Sequence, residues 1–409
     1  MKKTKEEILT EIISQNAKLH QIQDIDILLE LILAEACRAV NADAGSIYIV
    51  ENGMLAIKYA LNNTLKSRLP QGEKLPFVAF SFPINESTIA GYAAKNACTV
   101  NEKDVYQISP SKKYKFGNSS DLLTNYKTVS NLTLPIINTN GQVFGVLQVL
   151  NALDDENNVI PFNEDDEIYL QHFATNIADA LEHASRTRSI IMRMIRMSEL
   201  RDPSETGTHI KRVSAYAIEI YDRYAFNKNI SQELQTRFRD DLKIAALLHD
   251  VGKVAIPDNI LKKPDRLTDT EYNIIKSHTW LGAQLFVPFE NKFDSFVSDI
   301  VLHHHENFDG TGYPGNIKLN ANINDVVPMS EGLKGEDIPL GARIIALADV
   351  YDALSCTRCY KEPWSDEKII EELHRCSGTK FDPDVIKAFF EVYDRIQDIR
   401  KVYSDTHTE

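Results

Sequence analysis

Six of the eleven histidines lie between positions 209 and 305, and three of them are consecutive, His303, His304 and His305. Such a concentration needs a cause, because one buried histidine is usually a hydrogen-bonded core residue. His249 and Asp250 are adjacent at the end of the apolar run "DLKIAALLHD", so both can reach one cavity where a helix stops. Glu205 and His209 are four positions apart and share a helix face. His278 closes "LTDTEYNIIKSH", and Asp349 sits within the apolar run "GARIIALADVYDALSC", where an unpaired carboxylate would be costly. Together these residues offer more nitrogen and oxygen ligands than one metal can use, and no cysteine is required. Mixed histidine–carboxylate sets suit Fe, Mn, Co, Ni or Zn. Two or three ions sharing bridging carboxylates would use the whole set.

The elements that must hold these residues differ between the two halves of the chain. From 24 to about 184 the pattern mixes helix and strand. "DIDILLELILAEACRAV" has apolar residues at helical spacing, and "GSIYIVE", "MLAIKYAL" and "FVAFSFPI" read as strands. "NLTLPIINTNGQVFGVLQVLNAL" is two apolar runs joined at Asn140-Gly141, a hairpin signal. A helix is expected from near Asn163. Between Asn176 and Leu200, Ile177, Leu181, Ala184, Ile191, Met194 and Ile195 form an apolar stripe, expected to be a dimer seam; packing on the helix's own domain is the alternative. After Ser198 strand signals vanish and 201–400 reads as successive helices. One of these opens with Thr268 and Glu271 at capping-box spacing.

The chain has 409 residues, 43% of them hydrophobic and 25% charged, which is a globular composition with room for two or three cores. Its net charge of −14 disfavours a broad nucleic-acid footprint but leaves room for a small anionic substrate. The N-terminal stretch "MKKTKEEILTEIISQ" is not a signal peptide, and no run approaches the roughly 20 apolar residues of a membrane span. Five scattered cysteines (Cys37, Cys98, Cys356, Cys359 and Cys376) point to a reducing compartment, and a cytoplasmic location is expected. The pair Cys356 and Cys359 has no second pair with which to make a zinc site.

Residues 24–175 resemble a GAF domain, on the strength of the hairpin with "GVLQVLN" and the following "FNEDDEIYLQHFATNIADAL". GAF domains of the cyclic-nucleotide type carry an Asn-Lys pair, then Phe, then Asp-Glu. Asn151, Phe162, Asp166 and Glu167 fit, but Ala152 stands at the lysine position. The resemblance therefore implies either a cyclic-nucleotide site at these four residues or a motif that braces the fold.

In the second half, "HDVGK" (249–253) resembles the signature of HD phosphohydrolases, and "HHENFDGTGYP" (304–314) that of their HD-GYP branch, whose members hydrolyse cyclic di-GMP. "ETGTHIKRVSAYA", "GLKGEDIPLGARIIALADVYDAL", "TRCYKEP" and "SGTKFDPDV" follow in family order. The implied architecture has five parts: an N-terminal helix (1–23), an α+β GAF sensory domain with an antiparallel sheet (24–175), a connecting and dimerisation helix (176–200), an all-α HD-GYP bundle (201–400) and a tail (401–409). The implied metal ligands are Glu205, His209, His249, Asp250, His278, His304, His305 and Asp349, holding two or three divalent ions, iron or alternatively manganese. A glutamate four residues before the first histidine goes with the three-metal form. His303 falls outside the motif and is expected behind the ligands or on the helix surface.

The chemistry implied is hydrolysis of cyclic di-GMP to pGpG, either stopping there or going on to GMP; the apolar stripe leads to the expectation of a homodimer. Two ions about 3.5–4 Å apart activate water and draw charge from the phosphate. Asp250 is the natural bridge, and Lys253, one turn on, meets a phosphate oxygen. Arg358 and Lys361 are implied at the substrate phosphate or guanine, and Asp352 at the substrate or behind a ligand. Gly310, Gly312, Tyr313 and Pro314 are expected to shape the pocket. Residues 315–331, which the family pattern lacks, are expected to be a lid or a surface loop. Two other readings compete: a non-hydrolysing cyclic di-GMP receptor, and an HD hydrolase of another cyclic dinucleotide such as cyclic GMP-AMP.

Overall fold

The structure is a computed structural model that describes residues 19, 21–70, 80–201, 207–319, 330–356 and 363–403. The chain divides into two compact units, 1–188 and 189–409.

In the first unit, helix α1 (Ile25–Ala39) starts where the Asp24 carboxylate accepts from the backbone N–H groups of Asp26 and Ile27, at 2.9 and 3.1 Å. That capping satisfies donors a helix start leaves open. An antiparallel sheet follows: β1 (Ala42–Glu51), β2 (Met54–Asn62), β3 (Ser81–Pro83), β4 (Val100–Glu102), β5 (Asn131–Ile137), β6 (Val143–Leu153) and β7 (Val159–Ile160). The strand order is β3-β2-β1-β6-β5-β4, with β7 beside β6. The β5–β6 hairpin turns through Gly141 at φ +77°, as the Asn-Gly pair predicts. Helix α2 (Ile89–Asn96) supplies Ala90 and Ala94 to a small cluster with Tyr48, Leu55, Ile57 and Val146.

The main core of this unit lies between the sheet, α1 and the start of helix α3 (Glu164–Glu199). Ile177, Leu181 and Ala184 are fully buried in that core. This corrects the expectation of a dimer seam at these three positions: their apolar faces are already covered by their own domain.

Among the described residues the second unit is helical: α4 (Gly207–Asn227), α5 (Gln232–Leu248), α6 (Asp269–Lys276), α7 (His278–Gln284), α8 (Lys292–His303), α9 (Leu340–Ser355), α10 (Asp366–Arg375), α11 (Pro383–Glu391) and α12 (Tyr393–Val402). A 3-10 turn, Val251–Ala255, follows α5. One core, containing Val213, Tyr216, Leu242, Val301, Leu347, Tyr351 and Phe389, joins them. The capping box at the start of α6 is present, with Thr268 and Glu271 bonding reciprocally. His278 does not end that helix; after Ser277 it opens α7, which turns the imidazole inward. No described helix is long and apolar enough to cross a membrane.

Candidate metal centre

Four helix ends and one helix face bring the ligand candidates together. His209 comes from the first turn of α4. His249 and Asp250 come from the end of α5, and His278 from the start of α7. His304 and His305 follow α8, and Asp349 lies within α9. Two groups result. Asp250, His278, His304 and His305 present one ligand atom each within 4.8 Å of one another, and so do His209, His249 and Asp349.

Asp250 joins the two groups. Its Oδ2 lies 3.1 Å from His249 Nε2, while its Oδ1 lies 3.1 Å from His278 Nε2 and 3.6 Å from His304 Nε2. One carboxylate oxygen thus faces each group, which is the arrangement a bridging ligand requires. His209 Nε2 is 3.5 Å from Asp349 Oδ1. Burial alone would raise the Asp250 carboxyl, but Lys253 and His249 beside it reverse this and hold it well below the usual carboxylate range.

The imidazoles are oriented as ligands. The Nδ1 atoms of His249, His278 and His304 each lie 2.7–2.8 Å from the backbone carbonyl three residues earlier, those of Ala246, Ile275 and Val301. A carbonyl only accepts, so Nδ1 donates and Nε2 is the nitrogen left to face a ligand. The Nε2 atoms of His278 and His304 then face each other at 3.4 Å. Two lone pairs at that distance repel unless a cation or a proton lies with them. Burial, first of all, lowers the proton affinity of His304, and lowers that of His305 further. Converging imidazole nitrogens beside an anionic carboxylate fit a divalent cation.

Asp352 backs this set. Its carboxylate is buried, accepts from His209 Nδ1 at 2.7 Å, and is gripped by Arg212 through Nε at 2.6 Å and Nη2 at 2.9 Å. Burial would raise its pKa; the hydrogen bonds from His209 and Arg212 outweigh this and hold it lowered. Of the two roles left open for Asp352, at the substrate or behind a ligand, these contacts describe the second: both oxygens are engaged in orienting His209 and pairing Arg212. Cys356 points its sulfur at Asp352 Oδ1, 3.6 Å away, and burial pushes its thiol up to about 11.

Around the rim, Lys253 Nζ is 2.9 Å from Asp250 Oδ2. The Tyr313 ring stacks on His305 with centroids 4.9 Å apart, and Lys276 lies over the Tyr313 face at 5.3 Å. Gly312 is required by packing, since a Cβ there would lie 2.2 Å from the Asn307 backbone nitrogen. Gly310, at φ +89°, turns the chain before it, and Pro314 is buried. Tyr313, Gly310, Gly312 and Pro314 thus form a packed shelf beside the histidines. Glu205, Arg358 and Lys361 lie outside the described residues, as does the middle of the 315–331 segment.

Two residues, Glu306 and Arg212, were not singled out from the sequence, and a third, His303, was left between two places. Glu306 is buried and its carboxylate accepts from Gly315 N at 2.6 Å and Leu333 N at 3.1 Å, so it clasps both ends of the 315–331 segment. His303 is buried against it, 3.5 Å away, and not on the helix surface. Arg212 could have been suspected from its place one turn after His209 on the same helix face. Glu306 carries no comparable local signal.

In the first unit, the four residues matching the cyclic-nucleotide motif are engaged by the protein. Asn151 is buried, accepts from Val129 N at 2.7 Å and donates to the Tyr126 hydroxyl and the Lys127 carbonyl. Phe162 is in the core. Asp166 accepts from Asn163 N at the start of α3, and Glu167 accepts from Asn101 and Gln171. Of the two meanings the motif left open, bracing is the one these contacts describe.

Comparison with known proteins agrees with the architecture. Residues 24–181 match the GAF domain model, residues 206–354 an HD domain model and residues 328–385 a second HD domain model. The chain carries a GAF domain followed by an HD domain. Over 223 residues it is 38% identical to a probable cyclic di-GMP phosphodiesterase of Vibrio cholerae, covering 53% of this chain and 47% of that protein. Over 257 residues it is 36% identical to a cyclic di-GMP phosphodiesterase of the same organism, covering 60% and 49%. Over 242 residues it is 33% identical to that organism's 3'3'-cGAMP-specific phosphodiesterase 2, covering 58% and 42%. The chain spans about half the length of these curated relatives or less.

Proposed function

We propose that the chain is a divalent-metal-dependent phosphodiesterase of HD-GYP type that opens cyclic di-GMP to linear pGpG under control of its GAF domain. The observation that carries this reading is the pair of ligand groups joined by the two oxygens of Asp250. Ions held there would supply a nucleophile at neutral pH and withdraw charge from the scissile phosphate. The donor set, all imidazole and carboxylate, accepts iron or manganese. Glu205 is the candidate for a further ligand, which would make three ions in all.

The chain's own groups have distinct tasks. Asp250 stays anionic and holds both ligand groups in register. Lys253 Nζ lies beside that carboxylate, placed for a non-bridging phosphate oxygen. Tyr313, fixed by stacking on His305, offers the rest of its ring to a base. Arg358 and Lys361 are assigned to the second phosphate or a guanine edge, for which a guanidinium fork is suited. The chain is also proposed to act as a homodimer through the later part of 176–200, where Ile190, Met194 and Met197 are exposed at helical spacing.

A second substrate reading, 3'3'-cyclic GMP-AMP, is favoured by the similarity to an enzyme specific for it. The test is hydrolysis of both cyclic dinucleotides by metal-loaded protein, with products identified by mass spectrometry. The proposal expects kcat/KM for cyclic di-GMP to exceed that for the hybrid. The reverse order would reassign the substrate, and hydrolysis of neither would refute the activity.

A further inference from the structure

The turn that carries Lys253 is short and intrinsically weak, because 3-10 segments make poor hydrogen bonds. It is held from two sides. On one side Gly252 is pressed against the start of α7: a Cβ there would lie 1.9 Å from the His278 carbonyl oxygen and 2.5 Å from Gly282 N. On the other side stands Arg201, two residues beyond the end of α3. Its guanidinium donates through Nη1 to the Val254 carbonyl and through Nη2 to the Ile256 carbonyl, the latter at 3.1 Å. Nη2 also pairs with Asp258 Oδ1 at 2.8 Å. The last carbonyls of a helical turn lack partners within it, and a cation there satisfies them and complements their negative end.

We infer that Arg201 is a positioning residue: it caps the turn 251–255 and so ties the placement of Lys253 and Asp250 to the C-terminal end of α3. The fork shape matters. A guanidinium reaches two carbonyls and a carboxylate at once, whereas an ammonium has no planar fork to span them. Arg201 and Asp258 are 40% and 57% exposed, so water can replace the lost donors and the fold does not depend on them. What changes when Arg201 is removed is the freedom of the turn. A shift at the end of α3 would be delivered through the same contact to Lys253 and Asp250, which gives the long helix a route for regulating the site.

The kinetic part of this inference rests on the phosphodiesterase reading; the exchange part does not. The full chain, loaded with manganese, is compared with Arg201→Ala and Arg201→Lys. Metal per chain and KM for cyclic di-GMP should match the parent. The kcat of Arg201→Ala should fall roughly ten- to a hundredfold, the scale of a misplaced catalytic group, and Arg201→Lys should recover part of the loss. Backbone amides at 251–256 should exchange with solvent faster in Arg201→Ala, as expected of a segment freed to open locally. Parent-like kcat together with parent-like exchange would overturn the inference. So would loss of metal with no recovery by lysine, which would mark Arg201 as a structural residue only. If the parent protein hydrolyses nothing, the phosphodiesterase reading falls, and the exchange comparison alone decides whether Arg201 caps the turn.

Discussion

Replacing Asp352 by asparagine removes one charge and changes one donor–acceptor pattern in a sealed site. In the native arrangement Oδ2 accepts from His209 Nδ1 and Arg212 Nη2, and Oδ1 accepts from Arg212 Nε. An amide has one oxygen. If that oxygen takes the Oδ2 place, the new NH2 group faces Arg212 Nε at a separation near the present 2.6 Å, donor against donor. If it takes the other place, His209 and Nη2 both lose their acceptor. Either way at least one charge-assisted bond, about 1.5–3 kcal/mol, is lost. The Arg212 guanidinium, whose side chain is 3% exposed, loses the charge of this carboxylate. Breaking a buried pair costs roughly 3–5 kcal/mol. For a unit of this size that is a fall in Tm on the order of 10 °C. Where the amide oxygen leaves the Oδ2 place, His209 also loses its orienting partner, which should weaken metal binding about 10- to 100-fold. The contrast is Asp349→Asn, three positions earlier on the same helix and 19% exposed, which should weaken metal binding with a much smaller change in the Tm of metal-free protein. Calorimetric melting of the metal-free variants and manganese titration of each provide the assay. An Asp352→Asn protein with parental Tm and parental metal affinity would refute the reasoning.

Four further outcomes are expected. Lys253→Ala should lower kcat strongly and KM little, because its contact strengthens as phosphate charge grows, whereas Arg358→Ala should raise KM with kcat largely kept; steady-state kinetics on metal-loaded protein separate the two. Glu205→Ala should lower the metal count per chain if a third ion is bound, and an unchanged count would remove the third ion. Glu306→Ala should leave the buried N–H of Gly315 and the half-buried N–H of Leu333 without this acceptor, costing about 1–3 kcal/mol for the first and less for the second, which water can reach, and denaturant unfolding would show it. Glu271 titrates at about 2, held down first by Lys263 and then by the Thr268 backbone N–H. Because its folded pKa is depressed, its contribution is present above about 4.3, the usual glutamate value, and is lost as pH falls through about 2. An NMR titration showing an ordinary midpoint would contradict the Lys263 pairing.

How far the sequence was legible depends on how local each feature is. Several candidate ligands announce themselves because they sit at a helix end marked by a motif: His249-Asp250 before Gly252, His304-His305 before the Gly312–Pro314 shelf. The hairpin at Gly141 and the cap at Thr268 are likewise decided within a few residues. What stayed hidden joins residues far apart in the chain. His209 and Asp352 meet across 143 positions, so the sequence offered Asp352 two roles, at the substrate or behind a ligand, and could not choose between them. Periodicity correctly gave a helix at 176–199, yet it cannot say what a stripe packs against; Ile177 and Leu181 turned out to face their own sheet. The motif at Asn151 was recognisable by residue type, but only its contacts show that its amide is used to hold the 126–129 segment.

The central claim is that one buried aspartate joins two ligand groups into a single centre of at least two ions. Anomalous diffraction from crystals of manganese-loaded protein, recorded on both sides of the metal edge, tests it directly. The account predicts two peaks on either side of Asp250, one among His209, His249 and Asp349 and the other among His278, His304 and His305. One peak alone, or peaks away from Asp250, would contradict it.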